Sequence, residues 1–161
     1  MGEKVAKGRY TAELSEDGTV VFLIGMRLNA WWRVDKWWPV FTAMPRMLRD
    51  LEQRDAGLLG WKLWPAGRNV LVVQYWRSAA ELQAFASDPS APHAPAWREF
   101  NRRIGADGTV GVWHETYVVG PGRAEAIYAN MPPFGLAKAT RHLPVGRGRG
   151  TAAGRLAAAT G

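Results

Sequence analysis

The sequence contains no cysteine, which removes disulfides, thiolate metal sites and cysteine nucleophiles and suits a reducing cytoplasm. Histidine is scarce: His93, His114 and His142 are the three present. Zinc sites draw on three or four placed ligands, so no metal site is expected. No apolar run reaches the roughly 20 residues of a membrane span, and Met1-Gly2-Glu3-Lys4 has none of the apolar character of a signal peptide. A cytoplasmic protein with no membrane role is the expectation. Acids are missing from one region. Residues 136–161 hold Lys138, Arg141, Arg147, Arg149 and Arg155 and no Asp or Glu, leaving +2 of the net +7 for residues 1–135. That region is rich in Gly and Ala, buries little apolar surface and reads as a flexible, solubilising tail. A nucleic-acid role is not expected of it.

What is abundant is tryptophan, with nine in 161 residues and four inside Trp31-Trp32-Arg33-Val34-Asp35-Lys36-Trp37-Trp38. Leucine and valine fill a core with fewer constraints than an indole, whose N–H needs a partner when buried. The rings therefore line a pocket for a flat apolar ligand or cement a subunit interface, and both readings stay open.

Thr19 to Leu28 reads as a strand with apolar residues on both faces. A helix follows, with Asp35 as N-cap and Trp37, Phe41, Met44, Leu48 and Leu51 on one stripe. Pro45 is expected to kink or break it. Leu58–Trp64 and Val70–Arg77 flank the turn residues Pro65-Ala66-Gly67-Arg68-Asn69 as a hairpin. Ser78 caps a helix over residues 79–86, with Glu81 at the capping-box position. A further helical piece spans roughly 95–104, a last strong strand 109–119, and a weaker extended segment 124–128. The order strand, helix, strand, strand, helix, strand predicts an α+β, ferredoxin-like βαββαβ fold: a four-stranded antiparallel sheet with helices on one face. The division expected is an N-terminal arm (1–18), this domain (19–135) and the tail (136–161). A homodimer would cover the second sheet face, and a ligand would sit between sheet and helices.

Val21-Phe22-Leu23-Ile24-Gly25-Met26-Arg27-Leu28-Asn29, Gln74-Tyr75-Trp76-Arg77-Ser78, Ala96-Trp97-Arg98-Glu99-Phe100-Asn101, Val112-Trp113-His114-Glu115-Thr116-Tyr117 and Asn130-Met131-Pro132-Pro133-Phe134-Gly135 carry a resemblance over about residues 9–140. Together they resemble a monooxygenase-like family related to a fungal terpenoid-biosynthesis monooxygenase. That family is similar to the dimeric α/β-barrel superfamily of the antibiotic-biosynthesis monooxygenases. The resemblance implies a dimeric α/β barrel and one of two chemistries. One is oxygenation without metal or flavin, in which a deprotonated, electron-rich substrate reduces oxygen directly. The other is haem chemistry. It also places Trp76 against the ligand pocket, and it puts Met26 where haem-degrading relatives carry asparagine.

Strand alternation narrows the candidates. Gln74 shares the face of Trp76, where its amide would orient a substrate oxygen or be satisfied by backbone. His114 and Glu115 are adjacent and cannot face one cavity, so either is the general base and the other structural. Arg27 is expected to pair with Glu115 or Asp35, or to bind an acidic substrate group. Met26, Trp31, Trp37 and Trp38 are candidate pocket-wall residues, and Phe134 sits on a candidate lid. His93 is the candidate haem ligand, with His114 as the other histidine that could serve. The function expected is cofactor-independent monooxygenation of a small, apolar, electron-rich organic molecule by a homodimer. A haem-dependent protein and a non-enzymatic small-molecule binder are the alternatives.

Overall fold

In the computed structural model the described residues are 3–90, 94–95, 98–99, 102 and 107–158, apart from the side chains of Val40, Ala43, Arg46 and Asp50. In chain order the strands are β1 (Ala6–Glu13), β2 (Thr19–Leu28), β3 (Leu58–Ala66), β4 (Asn69–Trp76), β5 (Val110–Val119), β6 (Tyr128–Met131) and β7 (Arg141–Pro144). Among the described residues the helices with assigned bounds are α1 (Val34–Glu52), α2 (Ala79–Ser87), α3 (Leu136–Ala139) and α4 (Ala152–Ala158), and the helical piece expected at 95–104 falls largely outside the described residues. The main sheet is antiparallel, in the order β3-β4-β2-β5. With α1 between β2 and β3 and α2 after β4, this is the ferredoxin-like arrangement expected from the sequence.

Local chemistry explains the elements. β2 is rich in branched and aromatic residues, which suit a central strand. The β3–β4 hairpin pairs Ala66 with Asn69, leaving Gly67-Arg68 as a two-residue turn in which Gly67 takes φ +59°. Ser78 caps α2 as expected: its Oγ accepts from the Glu81 amide at 3.2 Å and donates to Glu81 Oε2 at 2.9 Å. At α1 the expectation needs correcting. Arg33 occupies the N-cap without a side-chain cap, and Asp35 lies in the first turn, ion-paired with Arg33 at 2.9 Å. The Arg33 guanidinium holds the Asp35 carboxyl below its ordinary value. α1 also runs unbroken through Pro39 and Pro45, because packing on the sheet outweighs the one backbone bond Pro45 forgoes.

Both α1 and α2 pack on one face. Leu51 and Leu82 join Val20 and Trp76 in a buried cluster, and Leu48 is also buried. Each such side chain contributes about 1.5–3 kcal/mol relative to exposure. A second cluster, Met26 and Val110, packs with Leu28, Trp37, Phe41 and Val70. The opposite face is covered over β3 and β4 by the segment around α3: Phe134 packs on Trp64 at 5.8 Å, and Lys62 lies 5.8 Å from the Phe134 ring centroid.

The expected arm and flexible tail instead build a second sheet, ordered β6-β1-β7. The basic side chains that read as solvated find acids elsewhere in the chain. Glu13 pairs with Arg141 at 2.9 Å and Arg149 at 3.2 Å, and the buried Arg155 pairs with Glu125 at 2.6 Å. Tyr10 stacks on His142 at 4.4 Å between ring centroids. The extended segment expected at 124–128 forms its strand at Tyr128–Met131.

Gly18 ends the turn into β2 at φ +79°, and a Cβ there would collide with the Val119 carbonyl oxygen. Gly18→Ala is expected to lower unfolding free energy by about 1–3 kcal/mol. Urea denaturation of the two proteins checks this; equal midpoints would contradict it.

Candidate active site

The pleat of the main sheet decides what faces the helices. Phe22, Ile24 and Met26 of β2, Val70, Val72 and Gln74 of β4, and Val112, His114 and Thr116 of β5 all line one cavity of about 590 Å³. Phe41, Met44 and Met47 of α1 and Leu82, Gln83 and Phe85 of α2 close it from above, with Leu63 of β3 at the side. Among the described residues the lining is chiefly apolar, and its polar groups are few: Gln74, Gln83, His114 and Thr116. A mostly apolar cleft with a small number of placed polar groups suits a small organic guest.

Gln74 is buried, and its Oε1 accepts from Trp76 Nε1 at 2.9 Å. That bond fixes the amide orientation. The oxygen is turned toward the indole, and the NH₂ has no acceptor among the described residues. Trp76 itself is fully buried beneath the cavity end, where its ring packs against Phe85 at 5.4 Å. It shares the Gln74 face, as expected, but acts as a support for Gln74 and not as wall.

His114 sits opposite Ile24, and its ring lies 5.7 Å from that of Phe22. It is exposed, and neither imidazole nitrogen has a hydrogen-bond partner among the described residues. Across the sheet, Gln74 and Thr116 both pair with Phe22, while His114 and Val72 both pair with Ile24. Gln74 and His114 thus stand two strands and one pleat apart, roughly 12 Å between backbones from standard strand spacings, with Phe22 and Ile24 as an apolar floor between them.

The structure separates the adjacent pair. Glu115 lies opposite Leu23, on the face away from the cavity, and accepts from the Tyr117 hydroxyl at 2.6 Å. This bond, with the carboxylate's charge, raises the Tyr117 phenol above its ordinary value. Arg27 does not reach Glu115. It pairs with Gly111 in the register, four residues along β5, and its Nε donates to Asn29 Oδ1 at 3.2 Å.

Of the other expected wall residues, only Met26 lines the cavity. Trp31 and Trp38 are exposed on the outside, and Trp37 donates from Nε1 to the Trp31 carbonyl at 3.0 Å while packing on Phe41. Trp37 packs with Leu28 against Met26 and Val110, while Trp31 and Trp38 on either side of it stay on the surface. Phe134 packs edge to face on Trp64, whose register partner Leu71 faces away from the cavity, so it forms no lid. Sequence reasoning missed Phe22, Met44 and Met47. Their signal was the Phe22/Ile24/Met26 alternation and a methionine-rich helix face.

His93, the candidate haem ligand, lies outside the described residues. His114, the other histidine that could serve, lines the cavity, but haem would also need partners for two propionates, and the described lining contains no Lys or Arg. The residues present therefore do not fit haem well. Among the described residues no three His, Asp or Glu groups come together as a metal site, and no helix is long and apolar enough to cross a membrane.

Residues 19–136 match the family model described as Monooxygenase af470-like. The chain is 27% identical over 159 residues to Monooxygenase af470 of Aspergillus fumigatus, covering 81% of this chain and 53% of that protein. It thus spans about half the length of that curated relative. Among solved structures, SnoaB, a cofactor-independent oxygenase from Streptomyces nogalater, aligns with a TM-score of 0.45 at 12% identity, covering 63% of this chain and 92% of that one. Rv0793 from Mycobacterium tuberculosis aligns with a TM-score of 0.44 at 16% identity, covering 62% and 93%.

Trp76→Phe keeps an aromatic ring but removes the buried N–H, leaving Gln74 Oε1 without its donor. A loss of about 1–3 kcal/mol is expected. Adding Gln74→Leu should make the double variant less destabilised than the sum of the singles. Chemical denaturation of the three variants measures the coupling, and strict additivity would contradict the bond.

Proposed function

The chain belongs to the Monooxygenase af470-like family, and from that membership we propose that it is a cofactor-independent monooxygenase of a small, apolar, electron-rich organic substrate. The observation that carries the reading is the apolar cavity in which a buried amide donor and an imidazole with no hydrogen-bond partner among the described residues come from the same sheet face. The substrate is an acidic phenol or enolisable ring compound, flat enough to lie on Phe22 and Ile24 beneath Phe41 and Met44.

In this reading His114 is the general base. It takes a proton from the substrate and leaves the electron pair in a conjugated anion. The Gln74 NH₂ donates to the oxygen on which that charge rests, and the Trp76 bond keeps it from turning its carbonyl there instead. The anion passes one electron to dioxygen, the radical and superoxide recombine to form a carbon–oxygen bond, and the peroxide takes back the proton held by His114 to become a hydroperoxide. Loss of water then leaves a carbonyl. The net change is CH₂ plus O₂ to C=O plus H₂O. All four electrons come from the substrate carbon, so no separate reductant is called for. Apolar walls keep water from reprotonating the anion before oxygen meets it.

A cytoplasmic homodimer belongs to the same proposal. Beyond the α3 segment, the face opposite the helices carries Trp113 and Tyr117, 41% and 50% exposed, and a second sheet laid on it would bury both.

Oxygen-electrode assays with a fused-ring phenol or an anthrone test the reading. His114→Ala is expected to lower turnover by about 10²–10⁴-fold, while Glu115→Gln leaves it unchanged. Loss of activity in Glu115→Gln but not in His114→Ala would overturn the assignment. Saturable binding with no oxygen uptake by the native protein would make the chain a carrier instead.

A further inference from the structure

The tryptophans that miss the cavity form a second feature. Trp31, Trp32 and Trp38 are 55%, 64% and 51% exposed and lie together with exposed Val34 where β2 passes into α1. Their rings pack edge to face, Trp31 on Trp32 at 6.4 Å and Trp38 on Trp37 at 5.7 Å. Beside them Trp31, Trp37, Leu28 and Arg68 of the β3–β4 turn line an open depression. So much exposed indole on one small surface is unusual for a soluble monomer and marks a contact site.

The acids at this end are already paired, so the balance of charge there is positive. Asp35 is paired with Arg33 and Asp107 with Lys36 at 3.4 Å. Arg27 and Arg68, both exposed, have no carboxylate partner among the described residues. The surface thus joins amphipathic indoles to uncompensated guanidinium groups.

We infer that this end docks on an anionic lipid bilayer, the indoles entering the headgroup region and Arg27 and Arg68 meeting lipid phosphates. Indole favours that depth because one edge is apolar and the N–H wants a polar partner. Anionic lipid supplies the charge these arginines lack among the described residues. A second copy is a poorer occupant, since a two-fold contact sets the same patch against itself and would bring four unpaired guanidiniums together. The placement also bears on access. Phe41 lines the cavity and packs on Trp37 and Trp38 at 6.2 and 6.0 Å, so one side-chain layer separates the docking surface from the cavity. A lipid-dissolved guest would enter there. This docking does not depend on the proposed chemistry.

Co-sedimentation of the full chain with phosphatidylcholine vesicles, with and without phosphatidylglycerol, tests it. The native protein is expected to partition onto the mixed vesicles roughly tenfold or more above pure phosphatidylcholine, with binding falling as salt rises. The Trp31→Ser/Trp32→Ser and Arg27→Gln/Arg68→Gln variants should each lose that binding while their circular dichroism and thermal unfolding stay native. Native protein remaining in the supernatant with both vesicle types would overturn the inference. So would a Trp31/Trp32 variant that binds vesicles normally but splits a dimer, or native protein that binds a single-stranded oligonucleotide and no vesicle.

Discussion

Consecutive side chains of a pleated strand take opposite faces, and this constraint on β2, β4 and β5 determines everything assigned to the cavity. β2 is the central strand, so its register places both neighbours at once. Phe22 meets Gln74 on one side and Thr116 on the other, and Ile24 meets Val72 and His114. A one-residue slip of β5 would exchange His114 for Glu115 and convert an apolar site with an imidazole into one with a carboxylate. The apolar alternation of β2 and its packing under Leu48, Leu51 and Leu82 hold that register.

The site then follows from an unequal division of polar groups. Gln74 is held by Trp76, while His114 is held by nothing among the described residues. The first is a fixed donor, suited to meeting an oxygen whose position changes little. The second is exposed on β5, an edge strand of the sheet. Phe22 and Ile24 between them offer only van der Waals contact. Shape and two polar contacts, not charge, would select the guest.

Much of this was legible in the residues, and the failures have physical causes. The Ser78 cap, the hairpin around Gly67 and the βαββαβ order were readable because each is encoded locally. The choice between His114 and Glu115 was not, because β5 carries large apolar side chains on both faces, Val112 on one and Trp113 on the other. The tryptophan cluster misled because where a helix overlies a sheet depends on the length of the connecting turn, not on ring chemistry. The second sheet was invisible because β1 is largely polar and β6 and β7 are only four residues each. Their order comes from long-range pairing, Tyr10 of β1 with Tyr128 on one side and Pro144 on the other, which no window of sequence contains.

The claim on which the rest stands is that the space between sheet and helices receives an aromatic guest with its oxygen at Gln74. The most direct measurement is a crystal structure of the protein soaked with a naphthol. The result expected is density on Phe22 with the hydroxyl oxygen within hydrogen-bonding distance of Gln74 Nε2. Collapse of Phe41, Met44 and Met47 into the space, with the naphthol bound elsewhere or not at all, would contradict it.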